Sequence, residues 1–307
     1  MKILVMGSGG VGGVFGGRLA ASGCNVTFVA RGAHLAAMRE NGLLIENETL
    51  GNTRVKPVKV TDDPLSAGTP DLIIFGVKLW DTESVAQSLK PVVAPHTAVL
   101  SLQNGVIKDD ILRGVFGSAA VMGGAAYVGS HVVRPGVIHQ VGTIQRMVFG
   151  EYDGSKSVRA EALLAAAVKA GLQAEISPDI RRTLWEKYAF LVGLSGTTAV
   201  MRSTIGPVRE NPQTRAFLLD LMKEAVAVGR ALGVGLPENY AEDRLAFADG
   251  VPATMDSSLH HDLRNGNRLE VEWLAGGVVQ LGKRVGVATP CNRAVWDALA
   301  LYAQGKR

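Results

Sequence analysis

The chain has 307 residues, of which 47% are apolar and 20% are charged. This composition excludes a disordered chain, and the length favours two hydrophobic cores over one. The net charge of +4 is carried by scattered basic residues, so we expect no nucleic-acid-binding surface. The two cysteines, Cys24 and Cys291, are far apart and, like the histidines, lack metal-ligand spacing. We therefore expect no metal, no disulfide and a reducing, cytoplasmic compartment.

Stretches without a charged residue occur at residues 3–17 and 188–201, and both are shorter than the ~20 apolar residues of a membrane span. The first of them follows Lys2, as in a signal peptide, but its high glycine content disfavours that assignment. The sequence therefore predicts no membrane-spanning or secretory segment.

The first predicted elements form a βαβ unit. A β-rich run at residues 2–6 leads at once into glycines, residues 15–22 have helical composition and end at Gly23, and residues 25–30 are a second apolar run. Further along, the continuous apolar runs at residues 72–77 and 97–102 are typical of strands buried on both faces. Strands alternating with helices in this way predict a mostly parallel sheet with helices on both sides.

The pattern changes after about Val121. Residues 126–140 are rich in valine and glycine around an Arg-Pro-Gly turn, which predicts a hairpin at the edge of the sheet, and residues 158–170 are helical. Beyond Ser177-Pro178 the sequence indicates helices alone, at residues 180–200, 213–232, 237–247, 255–265, 270–285 and 290–303. We therefore predict an α/β protein with an N-terminal Rossmann domain at residues 1–176 and an all-helical C-terminal domain at residues 177–307.

A glycine-rich motif lies between the first predicted strand and helix. The residues that fit G-x-G-x-x-G are Gly7, Ser8, Gly9, Gly10, Val11 and Gly12. Gly7 would permit a tight turn, Gly9 would let the backbone approach a pyrophosphate, and Gly12 would let helix and strand pack closely. In this context the motif predicts a dinucleotide site, and the alternative is a loop that serves only chain reversal.

Polar side chains follow three of the predicted strands. Arg31 occupies the place where NAD-dependent Rossmann domains carry a carboxylate for the ribose, and a guanidinium there can bind a 2′-phosphate. Lys78 and Asn104 follow the two later strands. Because the carboxyl ends of parallel strands meet at one edge, these residues favour NADP(H) as the cofactor. The alternative is that each is an ordinary turn or surface residue.

Taken together, these residues resemble the ketopantoate reductase (2-dehydropantoate 2-reductase) family over nearly the whole chain. The matching segments, in family order, are MKILVMGSGGVGG, Arg31, GVKLWD (76–81), LQNG (102–105), TLWEK (183–187), TAVMRSTIG (198–206), SSLHHD (257–262) and LEVEW (269–273). The resemblance implies a helical domain arranged like the C-terminal part of 6-phosphogluconate dehydrogenase. It also implies hydride transfer from NADPH to the ketone of a 2-oxo acid, which gives a 2-hydroxy acid.

The same resemblance assigns roles to individual residues. It places the catalytic lysine at Lys187, a supporting glutamate at Glu270 and the carboxylate-binding hydroxyl at Ser258. It puts Asn104 beside substrate and nicotinamide, and Gly129 beside the cofactor. An ammonium group can stabilise and then protonate the oxygen that becomes negative as hydride arrives. At position 187, the alternative is a surface lysine that forms an ion pair. For the supporting glutamate, the alternative is Glu272 in place of Glu270.

The chain departs from the family where ketopantoate reductases carry asparagines in the substrate pocket. Leu191 and Ser195 stand one and two turns after the lysine, and Ile205 and Met255 replace two further amides. Each lost hydrogen bond would cost roughly 0.5–1.5 kcal/mol with a polar substrate. Either other residues take over this role, or the substrate is a more apolar 2-oxo acid or ketone.

Several expectations remain open at this stage. Ketopantoate is the leading substrate; the alternatives are another carbonyl compound, an imine as in opine-type enzymes, and a non-catalytic NADPH sensor. A homodimer is left open. His260 and His261 could face substrate, although a solvated helix face is favoured, and Trp185, Trp273 and Trp296 are expected in the helical core.

Overall fold

The computed structural model describes residues 1–306, which divide into two compact units. The first, here called the sheet unit, comprises residues 1–104 and 108–183; the second, the helical unit, comprises residues 105–107 and 184–306. The units separate between Thr183 and Leu184 within one long helix, whereas the sequence-based boundary follows Ile176 at the end of a strand.

The sheet unit alternates strands and helices along the chain. Its elements are β1 (Lys2–Met6), α1 (Gly10–Ala21), β2 (Asn25–Val29), α2 (Gly32–Asn41), β3 (Leu43–Glu46), β4 (Thr53–Val55), β5 (Lys59–Thr61), β6 (Leu72–Phe75), α3 (Thr82–Leu89), β7 (Ala98–Ser101), α4 (Lys108–Phe116), β8 (Val121–Arg134), β9 (Val137–Gly150), α5 (Val158–Lys169) and β10 (Gln173–Ile176).

These strands form one sheet in the order β4-β3-β9-β8-β7-β6-β1-β2-β5, with β10 also paired to β9. Two described pairings, β3 with β4 and β8 with β9, are antiparallel, and the others are parallel. Alternate residues of β1 enter different cores, since Ile3 and Val5 pack on one face of the sheet while Leu4 and Met6 pack on the other. Burial on both faces explains the continuous apolar runs, and the structure confirms the mostly parallel Rossmann sheet.

The predicted hairpin exists, but its predicted place at the sheet edge is wrong. β8 and β9 are joined at Pro135-Gly136, and Gly136 has φ +76°, a conformation that glycine adopts without strain. β9 then pairs with β3 and β10 as well as with β8, so β4, β5 and β10 lie at the edges. The apolar pattern predicts none of the short strands β3, β4, β5 and β10.

The helical unit contains the remaining elements. They are α6 (Ile180–Met201, from Leu184 onward), α7 (Ile205–Glu210), α8 (Pro212–Ala231), α9 (Tyr240–Gly250), α10 (Ser258–Arg264), α11 (Ala275–Val285) and α12 (Pro290–Leu299). Their buried faces share one core, to which Tyr188, Leu221, Val278 and Val295 contribute. The all-helical character is confirmed for the described residues, and α7 is an additional short helix. Among those residues, no helix combines the length and apolar character that crossing a bilayer requires.

A charged pair is fully buried in the sheet unit. The Lys108 ammonium donates to Asp109 Oδ1 at 2.9 Å, to the Ser101 carbonyl at 3.1 Å and to the Gly124 carbonyl at 3.2 Å. The Tyr152 hydroxyl donates to Asp109 Oδ2 at 2.7 Å. Burial lowers the pKa of Lys108, whereas the adjacent Asp109 acts to raise it. The network ties the first turn of α4 to the end of β7 and to the first part of β8.

Replacing Lys108 by methionine should destabilise the protein by about 3–5 kcal/mol, because Asp109 would be left as a buried charge without its counter-ion. Equilibrium unfolding in urea at pH 7 measures the change. Lys169→Met, at an exposed position on α5, is the matched control and should stay within about 0.5 kcal/mol of the parent protein. An unchanged unfolding midpoint for Lys108→Met would show that the pair does not stabilise the sheet unit.

Candidate functional site

The glycine-rich loop connects β1 to α1 with very little room around its backbone. Gly7 has φ +93°, and a Cβ atom there would lie 2.7 Å from the carbonyl carbon of Gly76. A Cβ atom on Gly12 would lie 2.1 Å from the Gly7 carbonyl oxygen, so no larger residue fits. By contrast, a Cβ atom on Gly9 would have nothing within 4 Å. Gly9 is the N-cap of α1, so open space adjoins the positive end of the helix dipole.

Ser8 anchors this loop to the neighbouring strand. Its side chain is buried, and both its backbone N–H and its hydroxyl donate to the carbonyl of Val29, at 3.3 Å and 3.1 Å. The hydroxyl and the backbone N–H of Ser8 are therefore both occupied by the end of β2, and Ser8 fixes the loop.

A groove of about 450 Å³ lies at the carboxyl ends of β1, β2 and β6. Its lining, here called the strand-end groove, comprises Met6, Gly7, Ser8, Gly9, Val29, Ala30, Arg31, His34, Gly76, Val77, Lys78, Asp81, Val85, Val132, Val133, Arg134 and Pro135. The groove thus brings together Gly7, Ser8, Gly9, Arg31 and Lys78 from three separate strand ends. Such crevices at the carboxyl ends of parallel strands are where open α/β sheets bind ligands.

The other residues proposed for the cofactor lie outside this lining. A Cβ atom on Gly10 would lie 2.5 Å from the Ser130 carbonyl, so Gly10 is required for the approach of the β8–β9 hairpin. Val11 packs partly buried against the core of the sheet unit. Gly129 is exposed on β8, at a register shift of the hairpin. Asn104 is partly buried at the end of the segment that follows β7.

Gln103 holds two of the strand-end segments together. Its amide nitrogen donates to the Val77 carbonyl at 2.9 Å and to the Thr82 hydroxyl at 2.8 Å, while its amide oxygen accepts from Ser101 at 2.9 Å. Val77 immediately precedes Lys78. The buried Gln103 side chain therefore fixes the segment that carries Lys78 relative to the one that carries Asn104. The motif LQNG indicated a site residue, but it did not distinguish the roles of glutamine and asparagine.

Cations outnumber carboxylates along the groove. Arg31, Lys78 and Arg134 line it together with a single carboxylate, Asp81, among the described residues. Lys78 lies over the ring of Trp80, 5.7 Å from the ring centroid, and Arg134 pairs with Glu46 at 2.7 Å. A groove of this character favours an anionic ligand. Arg134 belongs to the Arg-Pro-Gly turn noted in the sequence, where it indicated only a hairpin, and nothing local identified His34.

In the helical unit, Lys187 lies partly buried on α6. The hydroxyl of the next residue, Tyr188, donates to the carbonyl of Leu274 at 2.6 Å and lies 3.1 Å from that of Trp273. Both carbonyls belong to the turn that begins at Glu270, whose own carbonyl accepts from their N–H groups. Tyr188 therefore fixes the segment that carries Lys187 to the segment that carries Glu270.

The remaining predicted catalytic and substrate residues differ in exposure. Glu270 is 8% exposed, whereas Glu272 is exposed, which favours Glu270 as the carboxylate of a site. Ser258 is exposed at the first residue of α10. Leu191 is partly buried and Ser195 is buried, both on α6.

At two of the positions where the family carries asparagines, the residues of this chain pack in or against the helical core. Ile205 is fully buried in the helical core, and its N–H donates to the carbonyl of Met255 at 3.0 Å. Met255 is partly buried and packs against the same core. The side chain at position 205 thus contributes to packing rather than to hydrogen bonding.

The expectation of a solvated helix face for the histidine pair is wrong for His260. This side chain is buried, and its Nδ1 lies 2.7 Å from Asp256 Oδ1, while His261 is partly exposed. Trp185 lies in the helical core as expected and Trp296 packs against it, but Trp273 is half-buried and outside that cluster. Within residues 1–306, no group of histidine, cysteine and carboxylate side chains could hold a metal ion.

Known proteins share both halves of this architecture. The family described as "Ketopantoate reductase PanE/ApbA" matches residues 3–154, and its C-terminal counterpart matches residues 179–303. A 2-dehydropantoate 2-reductase of Mesorhizobium japonicum is 32% identical over 96% of this chain and 95% of its own length. The uncharacterized oxidoreductase YkpB of Bacillus subtilis is 30% identical over 100% of both chains.

A solved structure agrees with this assignment. The PanE/ApbA family ketopantoate reductase from Ralstonia eutropha is 32% identical, superposes with a TM-score of 0.89 and covers 99% of this chain and 98% of its own. Together with the glycine-rich loop and the groove beside it, these similarities establish the class of the protein. The chain belongs to the ketopantoate reductase family and is an oxidoreductase that acts on a CH–OH group with a nicotinamide cofactor.

Proposed function

We propose that the protein reduces a 2-oxo acid to a 2-hydroxy acid with NADPH, and that 2-dehydropantoate, which would give pantoate, is its substrate. The observation that carries the proposal is the strand-end groove, where an open helix N-terminus at Gly9 adjoins Arg31 and Lys78. The substrate assignment is supported by relatives of nearly equal length that are named 2-dehydropantoate 2-reductase.

The preference for NADPH follows from the residue at the end of β2. A carboxylate there would repel a 2′-phosphate, whereas the exposed guanidinium of Arg31 can bind it through paired, charge-assisted hydrogen bonds. Lys78 adds a second positive charge along the same groove. The pyrophosphate would be bound by backbone N–H groups near Gly9, where no side chain intervenes.

For the chemical step, we assign proton donation to Lys187. When bound, the nicotinamide supplies the hydride that the carbonyl carbon accepts. The ammonium of Lys187 would stabilise the developing negative charge on the carbonyl oxygen and then transfer its proton to that oxygen. Glu270 would orient the ammonium, Ser258 would bind the substrate carboxylate, and Asn104 would contact the substrate. This set of groups disfavours a nucleotide sensor, which requires no proton donor.

A second candidate substrate is a more apolar 2-oxo acid or ketone. Ile205 is buried in the core, and Leu191 and Met255 present apolar groups where ketopantoate reductases carry amides. Only Ser195 retains a hydrogen-bonding group among these positions. An apolar pocket would forfeit hydrogen bonds to the hydroxyl of ketopantoate and would favour a hydrocarbon side chain.

Replacing Arg31 by alanine should weaken NADPH binding by about 10–100-fold and leave NADH binding within about twofold, because the lost charge-assisted contact involves only the 2′-phosphate. Fluorescence titration of each nucleotide measures both dissociation constants. The control is Arg39→Ala on the helix that Arg31 caps, since Arg39 pairs with Asp62 outside the groove and its loss should change neither constant. Equal affinities of the parent protein for NADPH and NADH would refute the NADP assignment.

Replacing Lys187 by alanine should lower kcat by about 10²–10⁴-fold, the usual contribution of a general acid, while NADPH still binds with its original affinity. Steady-state turnover and nucleotide titration on the same preparation separate the two effects. Lys283→Ala removes an exposed lysine from α11 and should retain full turnover. Turnover that survives in Lys187→Ala would exclude this residue as the proton donor.

A panel of 2-oxo acids of increasing apolar side chain, with ketopantoate among them, distinguishes the two candidate substrates. NADPH oxidation should give the highest kcat/KM with ketopantoate if other residues replace the lost amides. A higher kcat/KM for a branched hydrocarbon 2-oxo acid would instead support the apolar pocket. No turnover with any member would contradict 2-oxo acid reduction and direct the search to imines.

A further inference from the structure

One histidine of the sheet unit is held at both ring nitrogens by backbone groups that are distant in sequence. His34, in the first turn of α2, has Nε2 3.0 Å from the Ser8 carbonyl of the glycine-rich loop. Its Nδ1 accepts from the Gly136 N–H of the β8–β9 turn, also at 3.0 Å. The ring is partly buried and lines the strand-end groove. It therefore connects three segments that meet at the groove.

These two contacts define the charge state of the ring. Because a backbone N–H can only donate, Nδ1 must be unprotonated, and because a carbonyl can only accept, Nε2 must carry the hydrogen. The geometry is satisfied only by the neutral Nε2–H tautomer. Burial lowers the pKa of His34 from its ordinary value of 6.5, although the bond to Ser8 acts in the opposite direction. A second proton on Nδ1 would abolish the bond from Gly136.

Some charged groups around the ring disfavour its protonation, and one favours it. Arg31 precedes it on the same segment, Arg134 faces the groove from the hairpin, and Lys78 faces it from the segment after β6; all three disfavour a protonated imidazole. Asp81 is the carboxylate that lines the same groove and would favour protonation. The glycine-rich loop contributes the Ser8 carbonyl and no titratable side chain.

We propose that His34 is a positioning residue of the dinucleotide site, which sets the width of the groove by joining the glycine-rich loop, the N-terminus of α2 and the β8–β9 turn. The inference rests on the proposed function of this groove as the NADPH site. Ser8 is already hydrogen-bonded to the end of β2. The imidazole therefore links this fixed part of the glycine-rich loop to the β8–β9 hairpin, which forms the opposite side of the groove. It also fixes the first turn of the helix that Arg31 caps.

The test uses two substitutions that differ in hydrogen bonding. In His34→Gln, an amide oxygen can accept from Gly136 and an amide N–H can donate to Ser8, and the side chain cannot be protonated near neutral pH. His34→Ala removes both bonds. At pH 7.5 we expect KM for NADPH to rise about tenfold in His34→Ala and less than about threefold in His34→Gln. In both variants kcat and KM for the 2-oxo acid should stay near the parent values.

A pH series tests the neutral ring directly. NADH is used beside NADPH because it lacks the 2′-phosphate, whose own ionisation falls at about pH 6. The parent enzyme should keep a constant KM for NADH from pH 8 to 6.5 and show a rising KM below that value, as Nδ1 acquires its proton. His34→Gln should keep the same KM across the acid range. The control is His96→Gln, an exposed histidine near Asp71 outside the groove, which should follow the parent curve.

The outcomes separate this inference from the proposed function. If the parent protein binds no nicotinamide nucleotide, the proposed function fails, whatever the variants do. If the parent binds NADPH and His34→Ala binds it equally well, or if His34→Gln keeps the acid-side rise in KM, the positioning role is overturned. If His34→Ala does not fold, the pH series of His34→Gln decides alone. A fall in thermal stability of His34→Gln without any change in the pH dependence would indicate a purely structural contact.

Discussion

The site depends on one close contact, between the glycine-rich loop and Gly76, the residue that immediately follows β6. The Cα of Gly12 would lie 3.1 Å from a Cβ atom on Gly76, and a Cβ atom on Gly12 would lie 2.1 Å from the Gly7 carbonyl. The backbones of Gly7, Gly12 and Gly76 thus meet where no side chain fits. Because of this contact, α1 begins close to the carboxyl end of β1, and its N-cap, Gly9, lines the groove. A methyl group at either position would move the helix away from the strand end.

Hydrogen bonds between side chains and backbone groups extend this constraint across the sheet unit. Ser8 bonds to Val29, His34 bonds to Ser8 and Gly136, and Gln103 bonds to Val77. Each of these side chains forms its hydrogen bonds within the protein, so those polar groups do not bind a ligand. The ligand is left with backbone N–H groups and with cations at the groove. This division of roles is typical of sites in which buried polar residues hold the geometry and exposed residues determine specificity.

The structural features that depend on local patterns of residues could be predicted from the sequence. The βαβ unit, the buried strands, the hairpin and most helices follow from the periodicity of apolar residues and from glycine and proline. The short strands β3, β5 and β10 escaped prediction because each is stabilised by pairing with a segment distant in sequence rather than by its own pattern, and β4 pairs only with β3. The same reason applies to His34, whose partner Gly136 is 102 positions away. Roles assigned by family resemblance to Lys187, Glu270 and Ser258 stay predictions.

Charge is used differently in the interior of the sheet unit and at its groove. Lys108 and Asp109 neutralise each other in the interior, where Tyr152 and two carbonyls satisfy their remaining hydrogen bonds. Such a pair is stable only if it is complete, and it has no capacity left for a ligand. At the groove, Arg31 stays exposed and so loses little of its hydration before a phosphate arrives. Discrimination between the two nicotinamide nucleotides can therefore rest on one exposed residue, since the fold beneath it does not depend on that charge.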